Sequence, residues 1–206
     1  MKIVFYWLGK LFSFIVPYKF IEILYSIRSV FYTGMISHNF KFFGKSKVSG
    51  PFTKLLGSKY IFVGDDISFG YNVTLTAWDN HMEQTFAPII EIGSGTVIGD
   101  ECHITAINKI IIGRNVLMGK KITISDNSHG KILCEELRMP PLKRELYSKG
   151  PVIIEDGVWI GDKATVLAGV TIGENCIVGA NAVVTKDCPA NSVVGGIPSR
   201  ILKIIS

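Results

Sequence analysis

Charge is scarce in this chain. Only 19% of its 206 residues are Asp, Glu, Lys or Arg, while 48% are apolar. That balance excludes an intrinsically disordered protein and suffices to bury a core in one domain with an appended segment. No Lys/Arg run and no aromatic stacking motif accompanies the formal net charge of +5, so nothing points to nucleic acid. The surplus suits an anionic ligand or surface, or simple solubility. Cysteine is sparse and unpatterned: Cys102, Cys134, Cys176 and Cys188 lack C-x-x-C spacing, against both a disulfide framework and a zinc site. The apolar stretch from Ile3 to Val16, interrupted by Lys10 and Ser13 and stopped by Pro17, is too short to span a bilayer. It has no small-residue cleavage site, which disfavours a secretory signal. The expected setting is a reducing one, the cytoplasm, with a place at the inner face of the membrane.

Two rhythms are present. In residues 1–36, Leu8, Leu11, Phe12 and Ile15 share one helical face, continued after the proline by Ile21, Leu24, Arg28 and Phe31. Lys2, Lys10, Lys19 and Arg28 stand there against the single acid Glu22. A bent helix or helical hairpin is expected, either packed on the domain or serving as an interfacial membrane contact. Residues 37–59 read as a connecting segment.

From about residue 60 an aliphatic residue recurs every six positions. Val63, Phe69 and Leu75 begin the series; Ile92, Ile98 and Ile104 continue it, then Ile112, Met118 and Ile124 after a two-residue slip. Ile154, Ile160, Val166, Ile172, Val178 and Val184 form an unbroken run. Small or β-branched residues sit four positions later, among them Val116, Val158, Ala164, Val170, Cys176, Ala182 and Cys188. Six is neither a helix nor a strand period, but it suits a solenoid. With three hexads to a triangular turn, fifteen hexads give five turns, stacked at ~4.8 Å. Gly93, Gly99, Gly113, Gly161, Gly173 and Gly179 follow the aliphatic position, where a Cβ would be strained. Asp and Asn beside the corners tolerate left-handed backbone. The solenoid covers residues 60–189 and leaves 190–206 as a C-terminal tail.

The pattern breaks twice. The first break, between Thr76 and Glu91, contains Trp78, Asp79 and His81. The second, over residues 126–153, contains His129, Glu135-Glu136, Pro140-Pro141 and Lys143-Arg144. A long excursion from a compact stack is usually functional or disordered, and the position beside His129 favours a lid or acceptor-site wall. A neutral imidazole is suited to accept a proton near pH 7.

The segment VIIEDGVWIGDKATVLAGVTIGENCIVGANAVVTKDCPANSVVGGIPSRILK, with ITISDNSHG before it, resembles the hexapeptide-repeat acyltransferases. The resemblance spans roughly residues 60–203. It extends to galactoside and maltose acetyltransferases and especially to the O-acetyltransferases of capsule and lipopolysaccharide synthesis. It implies a left-handed parallel β-helix; spacing alone fixes no hand, and parallel crossovers are normally right-handed. It also implies a homotrimer, acetyl-CoA as co-substrate without a metal, and transfer of acetyl to a saccharide hydroxyl. By this match His129 is the base, while His38, His81 and His103 are structural. Trp159, Asp162, Ala180, Thr185, Lys186, Arg200 and Lys203 match positions that hold acetyl-CoA, with Asp162 standing where the family usually has serine. Asp126 and Asn127 are acceptor-site candidates; Asp126 could orient the imidazole, hold the acceptor or be a solvated corner. A xenobiotic or amine acetyltransferase, a γ-class carbonic anhydrase and a non-catalytic scaffold are the alternatives. The histidines lack the close pair that a zinc site usually contains.

Overall fold

Two helices lead into a stack of short parallel strands. The computed structural model describes residues 2–14 and 16–205; Ile15, placed above on the first apolar helical face, lies outside them. Helix α1 spans Lys2–Ser13 and α2 spans Tyr18–Ser37, with Pro17 at the N-cap of α2 (φ −57°, ψ 142°). Proline cannot donate a helical hydrogen bond, which is why the helix restarts there.

The strands form three parallel faces, each crossed once per coil. Face one runs through Phe42–Phe43, Ile61–Val63, Ile89–Ile92, Lys109–Ile112, Val152–Ile154 and Thr171–Ile172. Face two begins with Lys47–Val48 and Ser68–Phe69 and ends with Ile177–Val178 and Ser192–Gly195. Face three holds Lys54–Leu56, Thr74–Ala77, His103–Ala106, Thr123–Ser125, Thr165–Val166 and Val183–Val184. This is a left-handed parallel β-helix. It has six full coils, one more than the hexad series suggested.

The extra coil lies within 37–59, so that segment is not a connector. Phe43 stacks on Val63, Val48 on Phe69 and Leu55 on Leu75. These three residues are five and seven apart rather than six, which hid the coil from the periodicity. The presumed tail at 190–206 also belongs to the sheet. Ser192–Gly195 pairs parallel with Ile177–Val178, and Arg200–Ile204 returns antiparallel along it as the outermost strand.

Every residue of the aliphatic series is at most 3% exposed, and the small residues four positions later are likewise buried. The hexad therefore marks the axis of the prism. Five of its six glycines, all but Gly179, owe their place to the neighbouring coil rather than to left-handed angles. A Cβ on Gly93 would stand 2.6 Å from the Gly113 carbonyl carbon, and one on Gly161 would stand 2.6 Å from the Ala180 nitrogen. Asparagines take the left-handed corners instead, at Asn115, Asn175, Asn181 and Asn191 (φ 53–59°). Cys102, Cys176 and Cys188 are buried free thiols, and Cys134 is exposed. Burial pushes the Cys102 thiol up to about 11.

The second half of α2 covers the open edge of the first coil, where unpaired strand groups need partners. The Ser29 hydroxyl donates to the Val48 carbonyl (2.6 Å), Thr33 Oγ1 accepts the Val48 N–H (3.0 Å), and the Tyr32 hydroxyl accepts the Phe52 N–H (3.2 Å). Helix α1 has no buried residue. Trp7, Leu11 and Phe12, like Tyr18, Ile27 and Phe31 on α2, are all more than half exposed.

Candidate active site

Both breaks in the repeat leave from the third face and fold back over it. In the first, Asn80–His81 pairs antiparallel with Gln84–Thr85. In the second, Ser128–His129 pairs antiparallel with Leu146–Tyr147, beyond a helical turn at Cys134–Leu137 and a 3-10 turn at Pro141–Lys143. One side chain fastens the two excursions together. Gln84 Nε2 donates to the Leu146 carbonyl (3.1 Å), and Gln84 Oε1 accepts the Leu146 N–H (2.7 Å). His81 lies across its hairpin from Gln84, and His129 lies across its own pair from Leu146. The clamp therefore brings two imidazoles face to edge, with centroids 5.8 Å apart and planes at 73°.

Beneath them lies a cavity of about 450 Å³. Its floor is the outer surface of face three, with Thr74, Thr76, His103 and Thr105. Lys54 and Trp78 flank it, and His81, Asn127, His129 and Leu146 overhang it. His129 itself is exposed, so its ring is open to an acceptor. His81 Nε2 is buried without a hydrogen-bond partner. Burial, and after it the charge of Lys54, holds His103 below the ordinary histidine value. Lys54 Nζ lies 4.5 Å above the Trp78 ring.

His81 and His103, expected to be structural, line the same cavity as His129. The hexad register carried a signal for His103. It precedes the inward Ile104 and so faces outward, in one column with Lys54, Thr74, Thr123 and Thr165. His81 had no such signal; the Gln84 clamp ties its hairpin to the second excursion over face three. His38 lies at the end of α2. Among the described residues no group of three or more His, Cys, Asp or Glu converges as metal ligands.

Asp126 is neither solvated nor bonded to the imidazole. It is fully buried, and its carboxylate accepts the backbone N–H groups of Ile107 (2.9 Å) and Asn108 (2.8 Å) and the Asn127 side-chain amide (3.1 Å). It anchors the point where the long excursion departs, because a buried carboxylate must be hydrogen-bonded. Asn127 does line the cavity, and its amide also donates to the Thr105 carbonyl (3.3 Å).

The seven positions matched to acetyl-CoA binding lie outside this cavity. Trp159 is half exposed on face two, in register with Leu117 and Ile177. Ala180 is exposed at the corner under Gly161. Thr185 and Lys186 follow the last strand of face three, and Arg200 and Lys203 are exposed on the outermost strand of face two. Asp162 is committed to the stack: its Oδ1 accepts the Lys120 N–H (2.8 Å), just as Asp100 accepts that of Tyr71 (2.9 Å) and Asp156 that of Arg114 (2.7 Å). It is one of a series of corner aspartates joining successive coils.

Residues 151–186 match the family model for the bacterial transferase hexapeptide (six repeats). The chain is 34% identical over 148 residues to WbbJ of Escherichia coli (strain K12), named for lipopolysaccharide biosynthesis O-acetyl transfer; the match covers 70% of this chain and 74% of WbbJ. Among solved structures it resembles a hexapeptide-repeat acetyltransferase of Vibrio cholerae O1 biovar eltor complexed with acetyl coenzyme A. That likeness has a TM-score of 0.57 at 28% identity and covers 75% of this chain and 72% of that one. It also resembles a maltose O-acetyltransferase from Clostridium difficile 630, with a TM-score of 0.56 at 28% identity, covering 75% and 71% respectively.

Proposed function

The chain belongs to the bacterial hexapeptide-repeat transferase family, and on that premise we propose that it moves an acetyl group from acetyl-CoA to a hydroxyl of a saccharide in surface polysaccharide modification. The observation that carries this is the exposed imidazole of His129 overhanging a cavity whose floor carries a row of threonines. Sugar hydroxyls find both donors and acceptors in such a floor.

His129 takes the proton of the acceptor hydroxyl as its oxygen attacks the thioester carbonyl. The carbon–oxygen bond forms, the tetrahedral intermediate collapses, and the carbon–sulfur bond breaks. The imidazolium returns its proton to the departing CoA thiolate. A backbone N–H is the stabiliser expected for the oxyanion. Trp159 and Ala180 border the pantetheine arm, Thr185 and Lys186 the adenosine end, and Arg200 and Lys203 the phosphates. Asp162 contributes through the corner it holds rather than through a free carboxylate. Free CoA, measured with purified protein, acetyl-CoA and a panel of saccharides, tests the reading. Release that depends on a saccharide is expected. Release with amines alone, or no release with any acceptor, would refute it.

The donor positions lie outside the cavity that His129 overhangs, which supports a site completed by a neighbouring copy in a homotrimer. Closed rotational symmetry is the normal outcome for such assemblies. Sedimentation equilibrium should give three chains per particle; a monomer at micromolar concentration would contradict this. No single described helix is long and apolar enough to cross a membrane. The bare apolar surface of α1 and α2, with four basic residues against one acid, supports docking on an anionic leaflet at the inner face of the cytoplasmic membrane. Flotation with vesicles containing phosphatidylglycerol should carry the full chain upward, but not a chain lacking residues 2–14. Equal behaviour of the two would remove the membrane role.

A further inference from the structure

The ionisable side chains of the cavity are all basic. Its lining contains Lys54, His81, His103 and His129, and no Asp or Glu. Among the described residues Lys54 makes no ion pair, and its ammonium lies 4.5 Å from the centre of the Trp78 ring. The acid nearest in sequence to Trp78, Asp79, is turned to other partners, accepting from the Tyr60 hydroxyl and pairing with Lys59, both at 3.0 Å. Lys54 therefore presents an uncompensated positive charge to the cavity. A cation held over an indole is also less free than an ordinary surface lysine.

Register gives this charge a place relative to the reacting end. Lys54, Thr74 and His103 form one outward column over the first three coils. His129 emerges from the fourth coil, just after Thr123–Ser125. Three strand spacings, ~14 Å before side chains are counted, separate the lysine's strand from the strand leading to the base. That distance is on the scale of a sugar unit or two laid along the threonine floor.

We propose that the acceptor is an acidic saccharide, a sugar carboxylate of the uronic-acid class, whose carboxylate sits against Lys54 with His103 beside it while a hydroxyl is presented to His129. The inference rests on the acetyl-transfer reading above and names its substrate class. A monoanionic carboxylate matches the one lysine that the lining offers. A phosphate dianion normally draws several cationic groups or an arginine fork, and no arginine lines the cavity.

The test uses the full chain and four matched acceptors: a methyl uronoside, its carboxyl methyl ester, the parent neutral hexoside and the corresponding sugar phosphate. CoA release should favour the free acid over its ester by about tenfold or more in kcat/KM, the effect of one charge-assisted contact. In Lys54→Met, with its melting temperature checked against wild type, acid and ester should fall to the same level. Equal use of acid and ester by the wild type, or an acid preference that survives in Lys54→Met, would overturn the assignment. A preference for the phosphate would overturn it in favour of another anion. If no acceptor releases CoA, the transfer reading fails separately. Saturation-transfer NMR of the uronoside then decides the site: binding lost in Lys54→Met upholds it, and no binding to the wild type overturns it.

Discussion

Replacing Asp126 with alanine separates a structural anchor from an acceptor-binding residue. The fully buried carboxylate accepts two backbone N–H groups, from Ile107 and Asn108. Hydrogen bonds to a charged group contribute about 1.5–3 kcal/mol each, so losing both should cost about 3–6 kcal/mol. That is a large share of the roughly 5–15 kcal/mol that holds a domain folded. At an m-value of ~2 kcal/mol/M the urea midpoint should fall by about 1.5–3 M, measured at one protein concentration because assembly also shifts it. Asp126→Asn keeps one acceptor oxygen and should lose about half as much. A midpoint within ~0.25 M of wild type for the alanine variant (about 0.5 kcal/mol at that m-value), together with a raised KM for the saccharide, would refute the anchor role.

Gln84→Ala should release the two excursions from one another. Losing two hydrogen bonds of about 0.5–1.5 kcal/mol each should speed amide exchange at Leu146 by about fivefold or more, and raise the KM for the acceptor but not for acetyl-CoA; an unchanged exchange rate would contradict the clamp. Gly161→Val places side-chain atoms against the Ala180 backbone and should destabilise the stack by at least the ~1–3 kcal/mol typical of overpacking, as read from the denaturation midpoint; a neutral effect would mean the coils can part there. Ellman's reagent should titrate one thiol per folded chain, Cys134, and four after unfolding. A second fast thiol would show that the axis is more open than its packing implies.

The solenoid was legible because its core repeats: one aliphatic residue in six reports the prism axis without any long-range information. The first coil was not, since Phe43, Val48 and Leu55 depart from that spacing and rely on α2 and the second coil for their environment. The closing strand Arg200–Ile204 lies outside the hexads because an antiparallel return along an edge needs no inward residue. In the site, His129 could be singled out by its place at the mouth of the longer break. Of its companions only His103 carried a signal, its outward place in the hexad register; Lys54 comes from the irregular coil and His81 from a hairpin. Only the stacking register and the Gln84 clamp bring them together. Asp126 was misjudged for a related reason, since its two N–H partners lie one coil back in the chain.

Acetyl transfer by His129→Asn bears most directly on the chemistry. The amide keeps bulk and polarity but cannot take the acceptor proton, and His129 is exposed at the cavity, so folding should be unaffected. With circular dichroism and acetyl-CoA binding matching wild type, kcat should fall by ~10²–10⁴, the usual effect of removing a general acid–base group. Turnover within a few-fold of wild type would contradict base catalysis by His129 and direct attention to His81 and His103 across the same cavity.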